Sequence, residues 1–178
     1  MGRSPSRSSD GGESAKNSRV EPLLLKAIEK GEHGEVIAII EEAKAKAQPI
    51  EHLLRIGLMR AVDRTNIELA EYMLQSGAKP DGAPGGRLSP LLKAIERKIV
   101  GGRQEEMVKS LLRYGANVDA HDKQGRTALM LAAWKNYWHI MCALLRNGAD
   151  VNKKDNNGRH VLHNLAADKE CNLSLIHI

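Results

Sequence analysis

Two histidines three residues apart, His160 and His163, are the first residues in this chain whose spacing could do chemistry. On one helical face they would match a separation that some metal sites use. No cysteine or carboxylate has a matching spacing, so both are read as structural. Cys142 and Cys171 form no metal or redox motif, and Cys142 reads as a packed small residue. The glycine clusters at Gly82, Gly85 and Gly86 and at Gly101 and Gly102 lack the Lys and Ser/Thr of a phosphate loop. No Ser–His–Asp or Cys–His grouping carries a signature of nucleophilic catalysis. The expectation is a non-catalytic protein with no cofactor and no bound metal.

A second cluster suits recognition better than reaction. Trp134, Lys135, Tyr137 and Trp138 bring both tryptophans of the chain into five residues. Exposed Trp and Tyr are enriched at binding hot spots, where truncation costs ~2 kcal/mol or more.

Bulk properties bound the setting. The 178 residues suit one domain or one short array. Hydrophobic content is 42%, yet aromatics are only 3% and Phe is absent, so Leu, Ile, Val and Ala must do the packing. No apolar run reaches the ~18 residues that span a bilayer. The first residues, MGRSPSRSSDGGESAKNSR, contain no apolar signal core. Arg3, directly after Gly2, disfavours the loose myristoylation pattern found there. An intracellular location, cytoplasmic or nuclear, is expected, without membrane attachment. Residues 1–19 supply +2 of the net charge of +5 and are too polar to fold, so they are expected to be disordered.

The elements that hold these residues are marked by an internal echo. GANVDAHDKQGRTALMLAA from Gly115 returns 33 residues later as GADVNKKDNNGRHVLHNLAA from Gly148. A fixed period of this size marks stacked repeats. Anchoring on Ala132 and stepping outward gives Ala94, Ala61, Ala27 and Leu165, at intervals of 38, 33, 34 and 33 residues. Each anchor but the last is followed by a second apolar segment: 36–40, 67–74, 107–112 and 140–145. Ser89–Pro90 and Thr127 read as helix starts, and Gly77, Gly115 and Gly148 as left-handed helix ends. Asp122–Gly125 and Asp155–Gly158 read as tight turns with Asp first and Gly fourth. Five units of two short helices result.

This pattern resembles the ankyrin repeat family. Asp122, Gly125, Thr127, Leu129, Ala132 and Ala133, then Leu144–Leu145 and Gly148-Ala149-Asp150-Val151-Asn152, follow its motif over about residues 20–170, most strongly 107–167. The resemblance implies an all-α ankyrin-repeat solenoid of helix-turn-helix units with short β-hairpin fingers. His163 keeps the family histidine that ties neighbouring repeats, and Met130 replaces it one unit earlier. Leu165 occupies a usual alanine position. Glu41–Ala47 continues a helix where a finger is usual, and the third unit carries five extra residues around Lys98–Gly102. His33 falls in an inter-helix loop.

The resemblance further implies a protein–protein interaction module. Trp134 and Lys135 take positions that commonly face the concave groove, with Arg64 and Arg97 at the corresponding places of the second and third units. Trp138 extends the aromatic patch. Lys123, Gln124 and Arg126 lie on one finger, and Asn156, Asn157 and Arg159 on the next. A moderately basic groove suits another protein or an acidic peptide segment. The alternative is an accessory region of a larger enzyme or signalling protein. Nucleic-acid binding through the Arg/Ser-rich N-terminus and basic fingers is a weaker third reading.

The chain is expected to divide into a tail at 1–19, an array at 20–172 and a non-native end at 173–178. Those last six residues, LSLIHI, look like translated adapter sequence. A last unit cut after its first helix would leave Leu162, Leu165 and Ala166 uncovered and is expected to fray or self-associate.

Overall fold

The computed structural model describes residues 20–47, 49–82, 89–97 and 102–166. The expected disorder at 1–19, most of the insertion at 98–102 and the expected adapter end all lie outside the described residues.

Nine helices are found among the described residues: α1 (Val20–Lys30), α2 (His33–Ala45), α3 (Glu51–Arg64), α4 (Ile67–Gln75), α5 (Pro90–Glu96), α6 (Arg103–Arg113), α7 (Ala128–Trp134), α8 (Trp138–Arg146) and α9 (Val161–Ala166). Odd-numbered helices form one layer and even-numbered helices the other. Each odd helix packs on its own even partner, through α7 on α8, and on the next odd helix. In the second layer α4 packs on α6 and α6 on α8. The described residues thus form an all-α stacked solenoid, as expected.

The anchor alanines explain the close approach of the layers. Ala27, Ala61, Ala94 and Ala132 are 1%, 0%, 1% and 0% exposed. A methyl at each crossing lets the helices near each other, while Leu24, Leu58, Ile95 and Leu129 fill the space beside it. These alanines hold the same place despite the 38-residue step, so the insertion is absorbed between helices. α2 meets α4 through a polar seam instead. Lys44 Nζ donates to Ser76 Oγ at 3.3 Å, and Tyr72 donates its hydroxyl to Glu41 at 2.9 Å.

The helix boundaries follow the chemistry of their ends. Ser89 Oγ accepts from Leu92 N at 3.3 Å, with Pro90 at the first turn, and Thr127 Oγ1 accepts from Met130 N at 3.4 Å. Asn66 performs the same service for α4. Gly77, Gly115 and Gly148 take φ of 98°, 84° and 84°, and the next amide in each case returns to a carbonyl in the last helical turn. A side chain would strain each of these left-handed residues.

The turn inside each unit is left-handed too. Gly31, Gly102 and Asn136 occupy it with φ of 78°, 77° and 57°. The second unit places Thr65 there at φ 55°, a conformation in which a β-branched side chain is strained. His33, expected in a loop, is the first residue of α2, and its Nε2 lies 2.6 Å from Asn66 Nδ2 in the next unit's turn.

The fingers are less strand-like than expected. One isolated antiparallel bridge, His121 to Thr127, is their β-structure among the described residues. The reason is that side chains take the backbone donors that a ladder would use. Asn117 N donates to Asp81 at 2.7 Å, and Asp150 N donates to Asp119 at 3.0 Å. Each loop is therefore hung on a carboxylate of the loop before it.

The third unit has its own device. Gln104, 5% exposed, donates its amide to the carbonyls of Ala94, Ile95 and Arg97 at 2.8, 3.1 and 2.8 Å. Those groups end α5 without an intrahelical partner. Gln104→Ala is expected to cost about 2 kcal/mol in urea unfolding, because it strands buried carbonyls. Thr65→Asn should raise stability by about 0.5–1 kcal/mol, because Asn tolerates the left-handed turn. A lower urea midpoint for Thr65→Asn would show that the turn is not strained.

Candidate functional site

The ends of the odd-layer helices carry a regular charge pattern. The second and third residues after each anchor are Glu29–Lys30, Asp63–Arg64 and Glu96–Arg97 in the first three units. In the fourth they are Trp134–Lys135, so tryptophan stands where the others have an acid.

Asp63 and Glu96 pair with cations of the following unit. Asp63 accepts from Lys93 Nζ at 2.8 Å and from Arg97 at 3.4 Å. Glu96 lies 3.9 Å from the Arg126 guanidinium. Lys135 has no carboxylate within ion-pair distance among the described residues. Its Nζ instead lies 5.8 Å from the Trp134 ring centre and 5.9 Å from that of Tyr137, an arrangement worth ~0.5–1 kcal/mol at an exposed site. Trp134 ends α7 with 62% of its surface exposed. Nothing in the core needs this side chain.

The finger residues fall into two groups. Arg126 and Arg159 are bound by their own turns. Asp122 accepts from Gln124 N, Arg126 N and Arg126 Nε at 2.9, 2.9 and 2.7 Å. Asp155 repeats this with Asn157 N, Arg159 N and Arg159 Nε at 2.9, 2.9 and 3.0 Å. Both acids are almost wholly buried, at 6% exposure. Each arginine closes its turn by spanning a charge that would otherwise be buried alone. They therefore offer a partner less positive charge than their exposure suggests.

Asn156 is also committed. Its backbone N–H donates to Gln124 O and its side-chain amide to Lys123 O, both at 2.9 Å. Gly125 allows this docking: a Cβ there would meet Asn156 Oδ1 at 2.5 Å, and its φ is 76°. Of the expected contact residues, Arg64 and Lys123 are exposed and make no ion pair among the described residues, and Gln124 and Asn157 are exposed neutral groups. Trp138 starts α8 and is 43% exposed, but it lies with Met141 and Leu145 on a different surface from Trp134.

His160 and His163 come together, with Nδ1 atoms 3.0 Å apart and ring centres at 4.3 Å. No group of three His, Cys, Asp or Glu that could hold a metal occurs among the described residues. Among the described residues His163 is exposed and bonds to His160 of its own unit. Cys142 is a free, half-buried thiol on α8.

The Asp–Arg turns and the Gln104 cap were not anticipated. The spacing Asp122–Arg126, repeated at Asp155–Arg159, was the available signal for the turns. Gln104 gives none, because its role depends on where the insertion brings α6.

Two-layer stacking, left-handed glycine ends and carboxylate-closed finger turns define a helical repeat protein. A family model of ankyrin repeats, in three copies, matches residues 58–155. The chain belongs to the ankyrin repeat family. No curated protein matches it. Ankyrin repeats are generally protein–protein interaction modules and typically non-catalytic. No helix among the described residues is long and apolar enough to cross a membrane.

The finger turns carry a pH signature. The Arg159 backbone N–H, helped by its guanidinium and the Asn157 N–H and opposed by burial, holds the Asp155 carboxyl below its ordinary value. A depressed folded value means stabilisation that is complete above the unfolded value of about 4 and lost as pH falls through the folded one. Hydrogen exchange of the amides at 157 and 159 should therefore be protected at neutral pH and accelerate, once corrected for intrinsic rates, only below about pH 4. Unchanged protection down to pH 2 would remove the carboxylate from this role.

Proposed function

We propose that the protein binds another protein through the odd-layer helix ends and the fingertips, with Trp134 as the anchor. The observation that carries this reading is the replacement of an acid by Trp134 in the fourth unit, leaving a large exposed ring beside an uncompensated Lys135. Large aromatics with a mobile cation at their edge are the groups that dominate binding energy at interfaces. Arg64, Lys123 and Lys135 supply the free positive charge, and Gln124 and Asn157 supply neutral hydrogen-bonding groups. An acidic peptide segment is the matching ligand chemistry. Arg97, Arg126, Asn156 and Arg159 shape and rigidify the surface, and Trp138 lies outside its centre. No cofactor takes part.

The alternative of an accessory region in a larger enzyme or signalling protein uses the same surface and differs only in what is attached to it. Nucleic-acid binding is the weaker third reading, because Lys93, Arg97, Arg126 and Arg159 are already paired with carboxylates and so offer phosphates less positive charge.

Photo-crosslinking from position 134 in cells, followed by quantitative capture with Trp134→Ala, tests the proposal. Trp134→Ala should leave the melting temperature within about 2 °C, because the ring is exposed, and weaken the crosslinked partner about 30-fold. Equal capture by wild type and Trp134→Ala would remove the anchor from the interface.

A further inference from the structure

A pair of arginines on α3 lacks the anion that the equivalent pair one unit later holds. The first three odd-layer helices each carry a cation one residue before the anchor alanine and another three residues after it: Lys26 and Lys30, Arg60 and Arg64, Lys93 and Arg97. The members of a pair are four residues apart. They therefore share one helix face, with about 5–6 Å between their Cβ atoms.

In the third unit one carboxylate bridges the pair. Asp63 Oδ2 accepts from Lys93 Nζ at 2.8 Å, and its Oδ1 accepts from Arg97 at 3.4 Å. In the first unit Lys30 lies 3.4 Å from Glu32. In the second, Arg60 and Arg64 are both exposed and make no ion pair among the described residues. Asp63, on the same helix, is turned to the following unit. Glu29 holds the place of Asp63 one unit earlier, but it is exposed and pairs with neither arginine among the described residues. Two like charges one turn apart repel by ~0.2–0.5 kcal/mol. Arg64 ends α3 and gains from the helix dipole, an effect that fades within the last turn and so does little for Arg60.

Asp63 shows how an anion seats on such a pair: one group lies between the two side chains. Two guanidiniums present about five N–H donors each, more than the two oxygens of a carboxylate can serve. A phosphoryl group brings three acceptor oxygens and a charge of about −1.5 to −2 at neutral pH, and guanidinium forks match its oxygens bidentately. A nucleic-acid strand needs a run of free cations. Here Lys30 on one side and Lys93 and Arg97 on the other are held by Glu32 and Asp63. We propose that Arg60 and Arg64 clamp a single phosphoryl group carried by a side chain of the partner protein. The proposal rests on the reading of these helix ends as a protein-binding surface, and it names the chemistry that the partner brings to the second unit.

Heteronuclear NMR of the isotope-labelled full chain tests this through the Nε–Hε signals of the two arginines. The probe is a short alanine peptide with blocked ends and one central phosphoserine. Control peptides carry serine or glutamate in its place. The phosphopeptide should shift both signals saturably, the glutamate peptide should bind at least about fivefold more weakly, and the serine peptide should leave them unmoved. Arg60→Gln and Arg64→Gln should each weaken phosphopeptide binding at least about tenfold. Both side chains are exposed, so circular dichroism and melting should show an unchanged fold. No saturable shift up to about 20 mM phosphopeptide overturns the proposal. Equal binding of the glutamate peptide overturns it in favour of carboxylate recognition. A thymidine dinucleotide with its single phosphodiester, bound as tightly as the phosphopeptide, overturns it in favour of nucleic acid. Crosslinking at position 134 reads the protein-binding surface separately. Partner capture that depends on Trp134, without phosphopeptide binding, removes the clamp alone; phosphopeptide binding with capture indifferent to Trp134→Ala removes the anchor alone.

Discussion

None of the described helices can hold itself together. The described helices run from 6 to 14 residues, at or below the length at which an isolated helix is marginal in water. Each unit gains its stability only by pressing its apolar face on its neighbours. That requirement explains the features that repeat. The crossing residue must be small, which is why alanine recurs at 27, 61, 94 and 132. The ends must stop abruptly, which is why glycine recurs at 77, 115 and 148. The loops must reach sideways, which is why a carboxylate in one loop accepts an amide from the next.

The same requirement governs charge. A thin array has little interior in which to hide an unpaired group, so its acids and bases are matched locally. Asp63 serves two cations, and Asp122 and Asp155 each close a turn with the arginine four residues on. Local matching rigidifies the surface but leaves few charges for a partner. Recognition must then come from the places where matching is abandoned.

The repeat units were legible in the sequence because the features that define them are local and periodic. The alanine anchors, the capping Ser89 and Thr127 and the Asp–x–x–Gly turns each act within a few residues, and each lies where its spacing put it. What was not legible depends on distance. Arg126 looks like a free fingertip cation until Asp122 is seen to be buried beneath it. Asn156 looks like a polar tip until its amide is found on the Lys123 carbonyl. His163 matches the family residue by position, and among the described residues it meets His160. Gln104 caps α5 only because the insertion before it returns the chain to that spot. The fingers were read as hairpins because their turns are right, but a ladder also needs free backbone donors, and side-chain carboxylates had claimed them.

The exchange of an acid for tryptophan in the fourth unit gains its meaning from this background. Asp63 and Glu96 in that position pair with cations of the following unit: Asp63 with Lys93 and Arg97, and Glu96 with Arg126. Tryptophan can form no such ion pair with a following unit, and its ring lies beside the Lys135 ammonium instead. It gains no compensating burial, since most of the ring faces water. The substitution is therefore at best neutral for the fold, in an array where Asp63 and Glu96, at the equivalent positions, tie one unit to the next. On the proposed reading, a residue that departs from this pattern without helping the fold acts on what it meets outside it.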